Sequence, residues 1–151
     1  MRKTFLVISV LVVVAVVMQF YFAAVGVFSD PDDELFAIHG TSGRIVLPLL
    51  MILSIVFAAL AKAGRRTVWL AVLGFGLLLF QTILFILTGV LTGSEPPPGE
   101  VTTAGTIMLG FHALNGLAIL GVTGTVASRA RALVAEGRVP SPASTTAPGN
   151  V

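Results

Sequence analysis

The two histidines of this 151-residue chain, His39 and His112, are the side chains best suited to chemistry. Each lies in an apolar stretch, and each is followed four residues later by a glycine, Gly43 or Gly116. Residues four apart share one face of a helix, so each glycine leaves a shallow groove beside an imidazole. Two imidazoles can bind the iron of a b-type haem from opposite sides. The spacing therefore predicts His39 and His112 as axial metal ligands, with Gly43 and Gly116 admitting the macrocycle.

Composition places these histidines in a membrane. The chain is 56% hydrophobic and only 11% charged, whereas about a quarter of the residues of a soluble domain are charged. It has no cysteine, which excludes disulfides and iron–sulfur clusters. Its net charge of +2 comes from basic residues at membrane edges, so nucleic acid is not expected as a partner. No phosphate-binding loop or nucleophile–base grouping is present, and enzymatic activity stays an open question.

A spanning helix needs about 20 mostly apolar residues. Four segments meet this requirement, at about 4–28, 42–62, 67–92 and 104–128. The first is longer than the apolar core of a signal peptide and lacks a polar cleavage region, which favours a span. Acidic residues and a proline predict that helix 2 begins near Asp30, ahead of its spanning part. The predicted fold is all-α, a four-helix transmembrane bundle over residues 1–133 with a disordered cytoplasmic tail over 134–151.

Charge gives the predicted orientation. If the chain crosses the membrane four times, eight basic residues fall on one side of it: Arg2, Lys3, Lys62, Arg65, Arg66, Arg129, Arg131 and Arg138. Six acidic residues fall on the other: Asp30, Asp32, Asp33, Glu34, Glu95 and Glu100. Lysine and arginine are retained in cytoplasmic loops, so both termini are predicted to be cytoplasmic and the protein to be multi-pass in a bacterial plasma membrane. Arg44 and Glu136 are the exceptions, and Arg44 either snorkels to the outer boundary or pairs with an anion such as a propionate.

The two halves of the chain share a pattern, which predicts a bundle built as a two-fold repeat of helix pairs. Gln19 in helix 1 and Gln81 in helix 3 each precede a Gly-Val pair, and the His-x-x-x-Gly motif occurs in helices 2 and 4. The glutamines and Asn115 are expected to form interhelical hydrogen bonds. Whether the histidines share one height is open. Measured along the helix axis from Lys62 and Arg129, the heights of the two histidines differ by roughly 9 Å. Measured from the outer helix starts, near Asp30 and Thr103, the two heights agree.

A second interpretation needs no cofactor. The histidines then bind neighbouring helices or lipid head groups, and the glycines serve helix packing. Helix 4 carries a stripe of small residues suited to docking: Gly110, Ala113, Gly116, Gly121, Gly124 and Ser128. This interpretation predicts a non-catalytic protein that packs against, or helps assemble, a larger membrane complex, or that forms a homo-oligomer in the lipid bilayer.

The motifs carry two resemblances. His-Gly in helix 2, His-Ala-Leu-Asn-Gly in helix 4 and the four-helix layout resemble an uncharacterised family of small actinobacterial membrane proteins, over about residues 4 to 130. More distantly, the layout is similar to one half of haem A synthase, whose halves carry a histidine on the second and fourth helices. Only His39 and His112 map onto that family, and Gly40 stands where its helix 2 histidine tends to be followed by arginine. The resemblance implies a functional role for these two histidines, and with the repeated His-x-x-x-Gly spacing it leads to one prediction, a b-type haem bound between helices 2 and 4 for electron transfer.

The predicted topology can be tested with fusions. A reporter fused after Val151 is expected to be active only in the cytoplasm, and one inserted at Gly99 only outside, because the basic residues hold the termini inside. A C-terminus found outside would mean that one span is miscounted or that the N-terminal segment is cleaved.

Overall fold

The computed structural model describes residues 1–92 and 102–136, which form four long helices. We label them α1 (Arg2–Phe28), α2 (Phe36–Leu60), α3 (Arg65–Thr92) and α4 (Thr103–Glu136). Each is long and apolar enough to cross a membrane, and there is no strand in the described ranges. The predicted all-α fold with four spanning helices is confirmed.

The cytoplasmic tail predicted for 134–151 falls largely outside the described residues. Positions 134–136 continue α4 without interruption, and 137–151 are not described. As a result α4 runs seven residues beyond Arg129 before it ends at Glu136. Arg129 therefore does not mark the end of this helix, contrary to one of the two height counts above.

The start of α2 differs from the prediction. A 3₁₀ turn at Pro31–Asp33 is closed by the Asp33 N–H, which donates to the Asp30 carbonyl at 3.0 Å. Glu34 then has a φ of 51°, in the left-handed region, which a right-handed helix cannot contain. The α-helix begins only at Phe36. The prediction that helix 2 begins near Asp30 was wrong, because the acidic segment forms a separate turn.

A π turn at Ser42–Val46 interrupts α2 just after His39. The Leu47 N–H donates to the Ser42 carbonyl five residues back instead of four. Pro48 follows at once, and proline lacks an N–H and crowds the carbonyl four residues before it. A local change to π geometry is one way in which membrane helices accommodate proline. We attribute the π turn to Pro48.

The helices form a ring in which α1 and α3 each pack against both α2 and α4. At the end that carries the termini, a close-packed cluster is made by Phe5, Ala58, Ala61, Ala71, Val126 and Ala130. A second cluster follows along the bundle, with Val12, Val16, Leu47, Met51, Leu78 and Ile119. Alanines in the first cluster let the helix backbones approach closely, as is usual in membranes.

The outer surface of the bundle is apolar. Large side chains on every helix are about half exposed, among them Val14, Leu49, Ile83 and Leu114. In water such a surface would aggregate, whereas in lipid it needs no cover. The helices and this surface are together those of a multi-pass integral membrane protein.

Phe5 is the largest fully buried side chain, and it offers a test of the packing. Phe5→Ala is expected to destabilise the bundle by about 3–5 kcal/mol, because the neighbouring helices cannot fill the cavity left behind. The measurement is unfolding of the purified protein in mixed detergent micelles. Phe80→Ala is the matched control, since Phe80 is 45% exposed on the lipid-facing surface. Equal loss of stability in the two variants would contradict this packing.

Candidate functional site

The structure brings His39 and His112 together across the bundle. The two rings come from α2 and α4, on opposite sides of the helix ring, at the end away from the termini. Their centroids lie 6.1 Å apart, with an angle of 65° between the ring planes. The rings are therefore too close for the height difference of roughly 9 Å counted from Lys62 and Arg129. The count from the outer starts gave equal heights only by starting helix 2 near Asp30, whereas the α-helix begins at Phe36. The other count was wrong because α4 continues past Arg129.

Gln19 of α1 binds the segment of α2 around His39. Its amide orientation follows from backbone groups, since a carbonyl only accepts and an N–H only donates. The amide nitrogen donates to the His39 carbonyl at 3.1 Å, and the amide oxygen accepts from the Gly43 N–H at 3.1 Å and from the Ser42 hydroxyl at 2.7 Å. In a regular α-helix the Gly43 N–H and the His39 carbonyl would pair with each other. The Gln19 amide thus bridges two backbone groups of α2 beside the π turn.

The ring of His39 has two further contacts. Its Nδ1 lies 3.0 Å from the backbone carbonyl oxygen of Gln19 and also 3.0 Å from the Gln19 amide nitrogen. Phe36 packs beside the ring, with centroids 5.4 Å apart. Both polar contacts use Nδ1, and Nε2 has no hydrogen-bond partner in the described part of the chain.

Gln81 of α3 contacts His112 in a similar way. Its amide nitrogen donates to the His112 carbonyl at 2.8 Å and lies 2.5 Å from Nδ1 of the ring. Its amide oxygen accepts a hydrogen bond from the Asn115 amide, which also donates to the Leu77 carbonyl at 2.9 Å. Phe85 packs edge-on against the ring at 4.6 Å. The predicted interhelical hydrogen bonds of Gln19, Gln81 and Asn115 are confirmed.

The glycines of the two His-x-x-x-Gly motifs face side chains of α1. A Cβ atom on Gly43 would lie 3.3 Å from the Gln19 amide, and one on Gly116 would lie 3.1 Å from Cζ of Phe20. The space next to each glycine is thus used by a neighbouring helix. Both glycines nevertheless line the same cavity as the histidines.

That cavity has a volume of about 840 Å³ and opens between the helices at the histidine end. Its walls are mostly apolar, with Phe85, Leu78 and Ile119 among them. Cofactor and ligand pockets typically have volumes of about 300–1,000 Å³ with a few polar groups in an apolar wall. Sequence spacing predicts only the shallow grooves at Gly43 and Gly116, because the size of the cavity depends on how the four helices pack.

Arg44 supplies the positive charge of the cavity wall. Its Nε donates to the Gly40 carbonyl at 3.1 Å, which holds the side chain along α2. No carboxylate within residues 1–92 and 102–136 forms an ion pair with it, nor do those ranges hold a group of three or more His, Asp or Glu side chains suited to a metal ion. A guanidinium is a group that binds carboxylate and phosphate anions well.

A double-mutant cycle tests the Gln81–Asn115 bond. Gln81→Ala and Asn115→Ala are expected to couple by about 0.6–1.7 kcal/mol in unfolding free energy, the range found for hydrogen bonds between membrane helices. Gln19→Ala with Asn115→Ala is the control pair, and it should be additive because these two side chains share no hydrogen bond. Additive behaviour of Gln81 with Asn115 would contradict the network.

Comparison with known proteins gives one family match. Residues 19–89 match a family of unknown function (DUF6220), a segment that runs from Gln19 through His39 and Gly43 to Gly89. It contains α2 and most of α3, and it ends before His112. The comparisons with curated proteins and with solved structures gave no match. The chain is thus similar, over this segment, to proteins whose function is itself unknown.

Proposed function

We propose that this membrane protein binds one b-type haem between α2 and α4, with His39 and His112 as its axial ligands, and that it transfers electrons. The observation that carries the proposal is the 6.1 Å separation of the two imidazole centroids. A metal–nitrogen bond is about 2 Å long, and a ring nitrogen lies about 1 Å from its centroid. Two imidazoles on one iron thus need centroids about 6 Å apart, which is the spacing found here.

The surroundings of the rings also suit such a group. The cavity beside them has room for a large flat ligand, and its walls are mostly apolar. His39 is oriented through Nδ1 by a backbone carbonyl, the usual arrangement for a ligating histidine. A bound haem would supply one-electron chemistry, at a potential set by its ligands and their hydrogen bonds.

Arg44 supports the proposal because an arginine inside a span is costly unless it has a partner. Its guanidinium lines the cavity and has no carboxylate partner among the described residues. A haem propionate is an anion that the guanidinium can bind through two parallel hydrogen bonds. We place the site towards the outer leaflet of a bacterial plasma membrane, on the basis of the charge pattern of the sequence.

A role in packing or assembly is the second candidate. It is favoured by the surface of α4, where Cβ atoms added at Gly110, Gly121 and Gly124 would meet no atom within 4 Å. Such open small-residue positions allow another membrane helix to approach closely. Gly116 does not belong to this surface, because it faces Phe20. This role would leave the cavity without an explanation.

An absorption spectrum decides between the two candidates. Protein purified in mild detergent from cells supplied with haem is expected to show a Soret band and sharp reduced visible bands. His39→Ala and His112→Ala should each remove or weaken the low-spin signal, and combining them should add little, since one lost ligand already breaks the site. Arg44→Ala should keep the haem and lower its potential, because a nearby positive charge favours the reduced form.

The glycines provide the matched controls. Gly116→Leu should reduce haem binding, because the new side chain must displace Phe20 or enter the cavity. Gly121→Leu should bind haem normally, since its Cβ would meet open space. Both variants should insert, as leucine is favourable in a membrane span. A colourless wild-type protein would overturn haem binding and leave the packing role as the leading account.

A further inference from the structure

The cavity at the histidine end opens sideways, between α2 and α3. Over residues 36–46, α2 packs mainly against α1, and its packing against α3 is made by Leu47–Leu60. The two helices are therefore separated at the histidine end. Both span the bilayer, so a ligand that enters through this gap comes from the lipid. The gap is bordered by exposed side chains that also line the cavity: Phe36 and Arg44 on α2, and Leu79, Phe85 and Ile86 on α3.

The depth of the cavity is close to that of one lipid leaflet. Its wall on α2 runs from Phe36 to Pro48, which is roughly 18 Å of helix. The hydrocarbon of one leaflet is about 15 Å thick, half of the whole core. Where the cavity meets the close-packed part of the bundle, its wall is apolar, with Val16, Leu78 and Ile119. A lipid acyl chain thus suits both the length and the lining.

Arg44 places one positive charge at the border of this gap. Within the described residues, its hydrogen bond runs from Nε to the Gly40 carbonyl at 3.1 Å and uses neither terminal nitrogen. A Cβ atom on Gly40 would lie 3.0 Å from Nη2, so the guanidinium lies against the bare backbone of that glycine. Gly40 is roughly 6 Å along the helix from Phe36. The guanidinium is thus near the start of α2, where a snorkelling arginine meets lipid phosphates.

Carboxylates lie beyond the guanidinium, at the start of the same helix. The segment before α2 carries four of them, Asp30, Asp32, Asp33 and Glu34, and the last three are exposed. From the cavity outwards the protein is therefore first positive and then negative. A phospholipid with an amine in its head group has the opposite order, with the phosphate next to the chains and the ammonium beyond it. A lipid of net negative charge would be repelled by these carboxylates.

We infer that the haem-free protein binds one zwitterionic phospholipid, a phosphatidylethanolamine, in this cavity. Its phosphate binds Arg44, its ammonium faces the carboxylates before α2, and one acyl chain fills the gap between α2 and α3. This lipid site goes beyond the proposed function and does not depend on it. A haem would compete with the lipid for Arg44 and for the cavity, so the lipid is the occupant of the protein without haem.

Quenching of tryptophan by brominated lipids tests which lipid lies in the cavity. Trp69 is the only tryptophan, so Trp69→Phe gives a silent background. In that background Ile86→Trp reports the cavity wall. Ile83→Trp is the matched reporter, because Ile83 is 54% exposed on the same helix and does not line the cavity.

The full-length protein is measured without haem in phosphatidylglycerol bilayers. Brominated phosphatidylethanolamine is expected to quench Ile86→Trp at about fivefold lower mole fraction than Ile83→Trp, since one charge contact near the membrane surface gives about that factor. Brominated phosphatidylglycerol should quench the two reporters equally. Equal quenching of both reporters by the ethanolamine lipid would overturn the site, and a preference of the glycerol lipid for Ile86→Trp would overturn the choice of head group.

Variants of the positive charge test the phosphate contact. Arg44→Gln should abolish the fivefold difference, whereas Arg65→Gln should keep it, because Arg65 is exposed at the other end of the bundle. Gly40→Leu keeps the charge but fills the space of the guanidinium, so it should reduce the difference. Gly89→Leu is its control, since a Cβ there would meet no atom within 4 Å. A difference that survives both Arg44→Gln and Gly40→Leu would contradict the phosphate contact.

Two further measurements test the ammonium and the acyl chain. Asp32→Asn, Asp33→Asn and Glu34→Gln together should let brominated phosphatidylglycerol quench Ile86→Trp as well as the ethanolamine lipid does, because the repulsion is removed. An unchanged preference for ethanolamine would contradict the role of the carboxylates. Soluble phosphoethanolamine should not displace the brominated lipid, because it lacks the chain that fills the gap. Displacement by this head group alone would overturn the binding of an acyl chain.

Discussion

Hydrogen bonding without water is the constraint on which this structure depends. Hydrocarbon offers no partner to a polar group, so each one inside the bilayer must be satisfied by the protein. Within the described residues no buried side-chain nitrogen or oxygen lacks a partner. At the histidine end this is achieved by amides that cross between helices, with Gln19 joining α1 to α2 and Gln81 joining α3 to α4. The bonds that tie the helices in pairs are therefore the bonds that orient the imidazoles.

This pairing also accounts for where the cavity lies. The amides hold α1 against α2 and α3 against α4, but no such bond joins α2 to α4 directly among the described residues. At the other end, Ala58 and Ala130 are fully buried around Phe5, and the helices meet closely. The bundle is thus dense at the termini and open at the histidines. A rigid base of this kind holds the two histidine-bearing helices in fixed positions, as a preorganised site requires.

The sequence predicted the features that follow from composition and missed those that follow from backbone geometry. The four helices follow from runs of apolar residues, and the hydrogen bonds of Gln19, Gln81 and Asn115 follow from polar groups in such runs. The late start of α2 depends on a left-handed Glu34, and no residue type in that segment demands it. The π turn did have a signal, since Pro48 lies within an apolar span, but proline can also kink a helix or widen it locally. The approach of Phe20 to Gly116 depends on helix orientation, which spacing within one helix cannot give.

The two glutamines show how similar motifs can differ in their surroundings. Each amide nitrogen donates to the carbonyl of its histidine and approaches the same ring atom, so the residue types alone suggest two equivalent ligands. The difference arises because the α1 backbone at Gln19 comes within 3.0 Å of the His39 ring, whereas at His112 only a side-chain amide reaches Nδ1. The backbone position of one helix therefore gives one imidazole a contact that the other lacks, although the two motifs have the same residue types.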